Sequence, residues 1–250
     1  YDELYAAFVK QLNFVVDRKV RVSNYIDKMF AKYAPAPFLS VVIEDCISKG
    51  KDYYNGGPRY NTNYIQCTGL GTVTDSLSVI KKHVFEDGKF GMNTLLNAVS
   101  KNFEGEEKLR QRIINRTPFW GNDNEYADEI AVTVYNDLLA AIDGKPNTKG
   151  ESFHLNMLST TCHVYFGKVL GATPNGRFAG KSISDGTSPS HGCDTQGPTS
   201  VIQSLGKLDQ IKSGGTLLNL RFVPSLVKRE KDIEKLGHLI RSYFTLGGHH

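Results

Sequence analysis

Helical and strand-like stretches alternate along this chain of 250 residues, and glycine-rich turns follow the strand-like ones. Residues 63–67 are strand-like, Gly69 and Gly71 mark a turn, and residues 75–84 have the apolar spacing of a helix. Such alternation is typical of layered or barrel-shaped α/β proteins and disfavours a pure helical bundle. Because we find neither an internal repeat nor an interdomain linker, the sequence predicts an α/β fold in one domain or one piece of a domain.

Apolar residues spaced three or four apart predict further helices. The longest, residues 2–34, is expected to end before Pro35 and Pro37, because proline removes a backbone donor and restricts the residue before it. The other predicted helices are 38–48, with Gly50 as the stop, and 92–100, 106–114, 125–142, 199–208 and 231–245. Strands are predicted at 153–165 and 216–222, where residues with high β-propensity are frequent.

The composition excludes several protein classes. With 40% hydrophobic and 22% charged residues the chain is typical of globular proteins and is neither collagen-like nor mostly disordered. No apolar run approaches the ~18 residues of a membrane-spanning helix, and the start lacks a signal-peptide pattern. The basic residues, in excess by four, are scattered rather than clustered. We therefore expect a cytoplasmic protein without a membrane or nucleic-acid partner.

The cysteines and histidines give weak signals. Cys46, Cys67, Cys162 and Cys193 are far apart and form no C-x-x-C pair, so reduced thiols are expected. Cys162 precedes a histidine, but adjacent residues of a strand point to opposite faces and cannot easily act on one substrate. The terminal pair of histidines has no Cys, Asp or Glu cluster nearby, so no bound metal is expected.

Two glycine-rich segments are candidates for ligand contact. Gly69-Leu70-Gly71 lies between a strand and a helix, as in nucleotide-binding turns, but the third glycine is missing. We expect a tight turn in which Thr74 or Asp75 caps the helix. Residues 171–197 form a long segment rich in Gly, Ser, Pro and Asp without periodicity. Loops of this length are commonly functional or disordered, and the residues leave a functional and a structural interpretation equally open.

Five segments, taken in order and spacing, resemble the pyruvate formate-lyase-like glycyl radical enzymes across essentially the whole chain. These segments are Gly56–Asn61, Thr74–Lys81, Phe119–Asp123 followed by Asp128-Glu129, Gly171–Arg177 and Gly247–His250. Residues 61–66 and 155–167 are most similar to the dehydratase branch, which includes the hydroxyproline dehydratases. The resemblance implies that residues 1–250 are part of the family's ten-stranded α/β barrel.

The resemblance also implies a mechanism and its partners. Members carry a catalytic cysteine in a Gly-Cys-x-Glu loop and a radical glycine in an Arg-Val-x-Gly-Tyr loop, and neither motif occurs here. The chain is thus expected to be an internal piece between these loops, without catalytic residues of its own and inactive alone. A partner activating enzyme, which holds an iron–sulfur cluster and S-adenosylmethionine, forms the glycyl radical anaerobically. That radical makes a cysteine thiyl, which takes hydrogen from a small substrate in a buried barrel. The full-length protein is expected to be a homodimer.

Candidate substrate contacts follow from the same resemblance. Thr160, with Thr161 as the alternative, matches the family strand that lines the barrel, where a threonine donates a hydrogen bond to the substrate carboxylate. Arg59 and Arg177 lie in family loops and could bind a carboxylate bidentately or brace backbone carbonyls.

Three functions remain open from the sequence. The first is a C–O-cleaving dehydratase, and the second, within the family, is a formate C-acetyltransferase that passes an acetyl group to coenzyme A. The third is a non-catalytic chain that completes a barrel formed with other chains, since a barrel segment presents strand edges and apolar helix faces.

Overall fold

The computed structural model describes residues 1–250 and contains ten α-helices, one π-helical segment, three 3-10 turns and two strands. The strands are β1 (Asn63–Gln66) and β2 (Phe153–Asn156). The helices are α1 (Asp2–Tyr33), α2 (Pro37–Val42), α3 (Cys46–Lys49), α4 (Leu70–Val79), α5 (Met92–Ser100), α6 (Glu107–Arg116), α7 (Glu125–Ile142), α8 (Cys162–Val169), α9 (Pro198–Leu205) and α10 (Glu230–Thr245). Helices alternate with a small sheet, so the predicted α/β class is confirmed.

One of two units comprises residues 2–65 and 137–155. Its long helix α1 ends before Pro35, as predicted, and Lys145 forms a salt bridge of 2.6 Å to Asp17 on that helix. The single helix predicted at 38–48 is wrong, because the chain breaks into α2 and α3. The break lies at Asp45, whose φ of +74° is left-handed and cannot continue a helix.

The other unit comprises Tyr1 and residues 66–136 and 156–250. Here α4 passes directly into the π-helical segment Ile80–Glu86, and α5 and α6 follow. An apolar cluster forms the core of this region. Its buried members are Val79, Leu95, Ala98, Phe103, Ile113 and Phe119.

Strands β1 and β2 pair in parallel, because Asn63 N–H donates to the Ser152 carbonyl and Cys67 N–H donates to the Asn156 carbonyl, four residues further along each strand. Helices α4 to α7 lie between them in sequence, which is the crossover that parallel pairing requires. Beyond β2, Met157 forms a parallel bridge with Thr216.

Two predicted strands differ from the structure. The strand predicted at 153–165 ends at Asn156, and from Cys162 the chain is helical in α8. Thr160 has a φ of +48°, which interrupts the extended path, so the β-propensity of the following residues is overridden by their context. The segment 216–222 forms only the bridge at Thr216 and no strand.

Helix α4 begins differently from the prediction. Gly69, with a φ of +89°, occupies the N-cap position, and neither Thr74 nor Asp75 caps the helix. Both lie inside α4 and are fully buried. None of the helices combines the length and apolar character needed to cross a bilayer.

Candidate functional site

Residues Ile183–Ser190, here called the buried loop, are all shielded from solvent although they form neither helix nor strand. They lie within the long glycine-rich segment that the sequence left open between a functional and a structural loop. Five of the eight side chains are polar, and buried polar groups need hydrogen-bond partners. Specific hydrogen bonds, rather than apolar contact alone, therefore hold this loop.

The first turn of α4 is the main attachment of the buried loop. Thr72 N–H donates to the Ser184 hydroxyl over 3.0 Å, and Ser184 N–H donates to the Thr72 hydroxyl over 2.8 Å. A Cβ on Gly71 would lie 2.8 Å from the Ser188 carbonyl oxygen, so only glycine permits this approach. The turn that resembled a nucleotide-binding element is thus the surface against which the loop packs.

Asp185 is the charged centre of the buried loop and is turned toward the residues before α8. The Ser159 hydroxyl donates to its carboxylate over 2.6 Å, and the Asn219 amide donates to the other carboxylate oxygen. His163 Nδ1 lies 3.3 Å from the same carboxylate, and Gly186 N–H donates to Ser159 Oγ over 2.9 Å. These contacts fix Ser159, the residue immediately before Thr160.

A second buried carboxyl, that of Asp75 on α4, lies at the far end of the loop. The Ser190 hydroxyl donates to it over 2.5 Å and Trp120 N–H donates over 2.9 Å. Burial raises the pKa of Asp75 to about 7, although these two hydrogen bonds act in the opposite direction. Asp75 therefore changes its protonation close to neutral pH.

Three of the five segments that carry the family resemblance converge on the buried loop. Asp75 belongs to the segment Thr74–Lys81, Trp120 to Phe119–Asp123 and Asn175 to Gly171–Arg177. The Trp120 indole N–H donates to the Thr187 carbonyl over 2.8 Å, and the Asn175 amide lies 3.5 Å from the Ser190 hydroxyl. The sequence contains the three motifs, but local periodicity does not show that they meet in the folded chain.

Thr160 and Thr161 form the exposed turn that leads into α8. Neither hydroxyl forms a hydrogen bond with another group of the chain, and Thr161 occupies the N-cap position of α8 without a side-chain cap. A threonine with φ near +50° is uncommon, and such residues concentrate at functional sites. The positions predicted for substrate contact are thus accessible, although on a turn rather than on a strand.

The two predicted arginines are engaged by other protein groups. Arg59 forms salt bridges with Glu44 at 2.9 Å and Asp45 at 3.1 Å. Arg177 donates from its guanidinium to the carbonyls of residues in its own loop, which are Gly171, Phe178 and Lys181. This geometry favours the bracing interpretation for Arg177, and a substrate contact by either arginine stays a prediction.

All four cysteines are free thiols. Burial raises the pKa of Cys67 to about 11 and that of Cys193 to about 12. Because the thiolate is the nucleophile and the metal-binding form, these two side chains are held in the unreactive state near neutral pH. No group of three or more His, Cys, Asp and Glu side chains is arranged to hold a metal ion.

Comparison with known proteins identifies the family. The pyruvate formate lyase-like family matches residues 1–167, and the glycine radical family matches residues 183–250. The chain belongs to the pyruvate formate lyase-like family.

Its relatives include trans-4-hydroxy-L-proline dehydratase of Clostridioides difficile, which is 50% identical over all 250 residues, and isethionate sulfite-lyase of Nitratidesulfovibrio vulgaris, which is 34% identical over 98% of the chain. The chain spans about a third of the length of these relatives, 32% and 30% respectively.

Solved structures match the fold across the whole chain. Hydroxyproline dehydratase from Clostridioides difficile, with trans-4-hydroxy-L-proline bound, superposes with a TM-score of 0.97 and covers 100% of this chain and 32% of its own. The B12-independent glycerol dehydratase from Clostridium butyricum, 36% identical with the same coverage, gives a TM-score of 0.95. The predicted resemblance and the barrel fold of the glycyl radical enzymes are thereby confirmed for these 250 residues.

Proposed function

We propose that this chain is part of a glycyl radical dehydratase that cleaves a C–O bond of trans-4-hydroxy-L-proline or a closely similar hydroxylated amino acid. The observation that carries the proposal is the 50% identity to the Clostridioides difficile dehydratase, which extends over all 250 residues. Identity to the glycerol dehydratase over the same residues is only 36%. The enzyme is proposed to be cytoplasmic and homodimeric, and to depend on a radical-forming activating enzyme.

In this proposal residues 1–250 are a partial barrel domain, and the catalytic cysteine loop and the radical glycine loop are contributed by other residues. The glycyl radical supplies hydrogen abstraction by way of a cysteine. The present residues supply barrel wall and substrate orientation. Consistent with that division, the buried polar contacts of Asp185 and Gly186 converge on Ser159, beside the turn at 160–161, rather than on any cysteine.

Thr160 is proposed to donate a hydrogen bond to the substrate carboxylate, with Thr161 as the alternative donor. Thr160 precedes α8, and the partial positive charge at the N-terminus of a helix favours a carboxylate. Ser159, held by Asp185, fixes the backbone from which Thr160 projects. The site thus pairs an accessible donor with a rigid, buried support, which is the arrangement that orientation requires.

Two chimeric enzymes test the proposal. We would insert residues 1–250 in place of the aligned third of the hydroxyproline dehydratase and, as a matched control, of the glycerol dehydratase. After anaerobic activation, electron paramagnetic resonance of the glycyl radical reports whether each chimera folds and is activated. Turnover is then measured with trans-4-hydroxy-L-proline, glycerol, isethionate, and pyruvate with coenzyme A.

We expect the chimera in the hydroxyproline dehydratase to keep at least about a tenth of the parent's kcat/KM, and the chimera in the glycerol dehydratase to lose most of its glycerol turnover. If the chimera in the glycerol dehydratase instead keeps its glycerol turnover and the chimera in the hydroxyproline dehydratase loses its activity, the chain would be assigned to another substrate class. If the glycyl radical forms in neither chimera, the result would favour the alternative of a non-catalytic chain that completes a barrel.

The role of Thr160 is tested in the active chimera with Thr160→Val and, as its matched control, Thr161→Val. Loss of a hydrogen bond to a charged substrate group costs about 1.5–3 kcal/mol, so KM should rise about 10- to 100-fold with Thr160→Val. Thr161→Val should change KM less than about threefold. A larger effect at Thr161 would exchange the two roles, and no effect at either would remove the turn from the substrate site.

A further inference from the structure

A cavity of about 600 Å³ lies beside the π-helical segment Ile80–Glu86 and helix α6, and the family's chemistry as proposed above makes no use of it. Its volume is in the range of small-molecule sites. Five cationic side chains and a histidine belong to its wall. They are Lys82, His83, Lys89, Lys108, Arg112 and Arg116. We call this feature the basic cavity.

The charge of the basic cavity is largely uncompensated. Lys108, Arg112 and Arg116 follow one another at four-residue spacing on the exposed face of α6, where like charges repel. None of the three forms a salt bridge, and neither does Lys89. Asp87, the single carboxylate of the wall, lies 4.0 Å from Lys82. A concave surface with this charge distribution attracts anions.

His83 adds a hydrogen-bonding requirement. Its Nε2 lies 3.0 Å from the Thr117 hydroxyl, and that hydroxyl donates its one hydrogen to the Ile113 carbonyl over 2.6 Å. The Thr117 oxygen must therefore accept, so Nε2 carries the ring hydrogen. Burial lowers the pKa of His83, which keeps the imidazole neutral and makes Nδ1 an acceptor.

That acceptor has no partner. His83 is 2% exposed, and Nδ1 is a buried atom without a hydrogen bond. The residue lies within a π-helical segment, and such segments occur frequently at functional sites. His83 belongs to the wall of the basic cavity, so an occupant that bears both anionic oxygens and a hydroxyl hydrogen would complement the cations and, once the imidazole shifts toward it, the orphaned acceptor.

We propose that the basic cavity binds a phosphoryl group that keeps one acidic hydrogen, either hydrogen phosphate or the monoanion of a small phosphomonoester. Arg112 and Arg116 provide planar guanidinium groups that suit phosphate oxygens, and Lys89 and Lys108 add charge. A protonated phosphate oxygen is the donor that His83 Nδ1 lacks. Sulfate has similar shape and charge but carries no hydroxyl hydrogen near neutral pH, so it should bind more weakly.

Isothermal titration calorimetry of the protein that contains residues 1–250, with inorganic phosphate, glycerol 3-phosphate and sulfate at constant ionic strength, tests the proposal. The variant is Arg112→Gln with Arg116→Gln. The matched control is Arg18→Gln with Arg21→Gln, two exposed arginines of α1 whose loss changes the net charge equally. Because all four side chains are exposed, both variants should fold, and circular dichroism verifies this.

We expect the Arg112/Arg116 variant to bind phosphate at least about tenfold more weakly, the control to match the parent chain, and sulfate to bind at least about fivefold more weakly than phosphate. Tighter binding of the ester would identify a phosphorylated metabolite as the occupant, and tighter binding of phosphate would identify the inorganic ion. Equal losses in both variants would overturn the site, because they would indicate nonspecific charge attraction. Equal affinity for phosphate and sulfate would overturn the assignment of a phosphoryl group.

Discussion

The buried loop and the apolar cluster around Leu95 and Ile113 lie in the same unit, yet different interactions hold them. The cluster joins side chains of α4, α5 and α6 through non-directional contacts, which tolerate small changes of shape. The loop has no regular structure, and its buried polar groups are held by hydrogen bonds to specific residues such as Thr72, Ser159 and Trp120. Directional contacts of this kind specify one geometry, at the cost of little tolerance when a partner is lost.

The largest difference between the two regions should appear with Gly186→Ala. Gly186 has a φ of +47°, and a Cβ there would lie 2.6 Å from the Met157 carbonyl oxygen and 2.8 Å from that of Leu217. Strain and overpacking together should lower the free energy of unfolding by about 4 kcal/mol. Urea denaturation followed by the fluorescence of Trp120, the single tryptophan, measures the loss.

Gly105→Ala is the matched control for this prediction. Gly105 has a similarly positive φ of +73°, but a Cβ added there would have no heavy atom within 4 Å. Backbone strain alone should cost about 1–2 kcal/mol. Equal losses at the two glycines would show that close approach at Gly186 contributes nothing.

Asp185→Ala should give the next largest effect. The substitution leaves the buried Ser159 hydroxyl without its acceptor and also removes the hydrogen bond of the exposed Asn219 amide, which together should cost about 3 kcal/mol. Asp194→Ala, an exposed carboxylate of the same segment, should cost less than about 0.5 kcal/mol. Thermal denaturation compares the two variants. A similar change of Tm in both would contradict the role assigned to Asp185.

Asp75 makes the stability of the loop region depend on pH. Its pKa in the folded chain is about 7, above the value near 4 of an unfolded aspartate, so the folded state retains a proton that the unfolded state has lost. This stabilising contribution is complete below about pH 4 and is lost as the pH rises to about 7. Relative to Asp75→Asn, the parent should lose about 1.4 kcal/mol per pH unit between about pH 5 and 6.5. Urea titrations at several pH values measure the difference, which should level off above about pH 7. A constant difference would mean that Asp75 is ionised throughout.

The smallest effect should come from the apolar cluster. Ile113 is fully buried, and Ile113→Val removes one methylene from the apolar cluster. The expected loss is about 1 kcal/mol, without a change in Trp120 fluorescence of the folded state. A loss as large as that of Asp185→Ala would remove the contrast between the two regions.

Local sequence pattern was sufficient where a helix is long and periodic. Helices α5 and α7 have the predicted bounds, and the end of α1 follows from the prolines after it. It was insufficient at residues 157–165, because the positive φ of Thr160 and the contacts of α8 outweigh the β-propensity of that sequence.

The candidate site was only partly predictable for a related reason. The family resemblance indicated Thr160 and Thr161, but Asp185 and Asp75 acquire their roles from residues distant in sequence. Asp75 and Ser190, for example, are separated by 115 positions. Neither periodicity nor turn chemistry contains information on such pairs, and Asp75 consequently looked like a helix cap.

The parallel pairing of β1 with β2 has a consequence for synthesis of the chain. The Thr62 hydroxyl donates to the Glu151 carboxylate, a residue 89 positions later, and the unit that contains both needs residues 137–155. At the usual rate of about 5–20 residues per second of translation, β1 leaves the ribosome about 4–18 s before its partner. During that interval its edge is open to other chains. Rapid formation of the intervening helices, which are local in sequence, would shorten the distance over which the strands must then find each other.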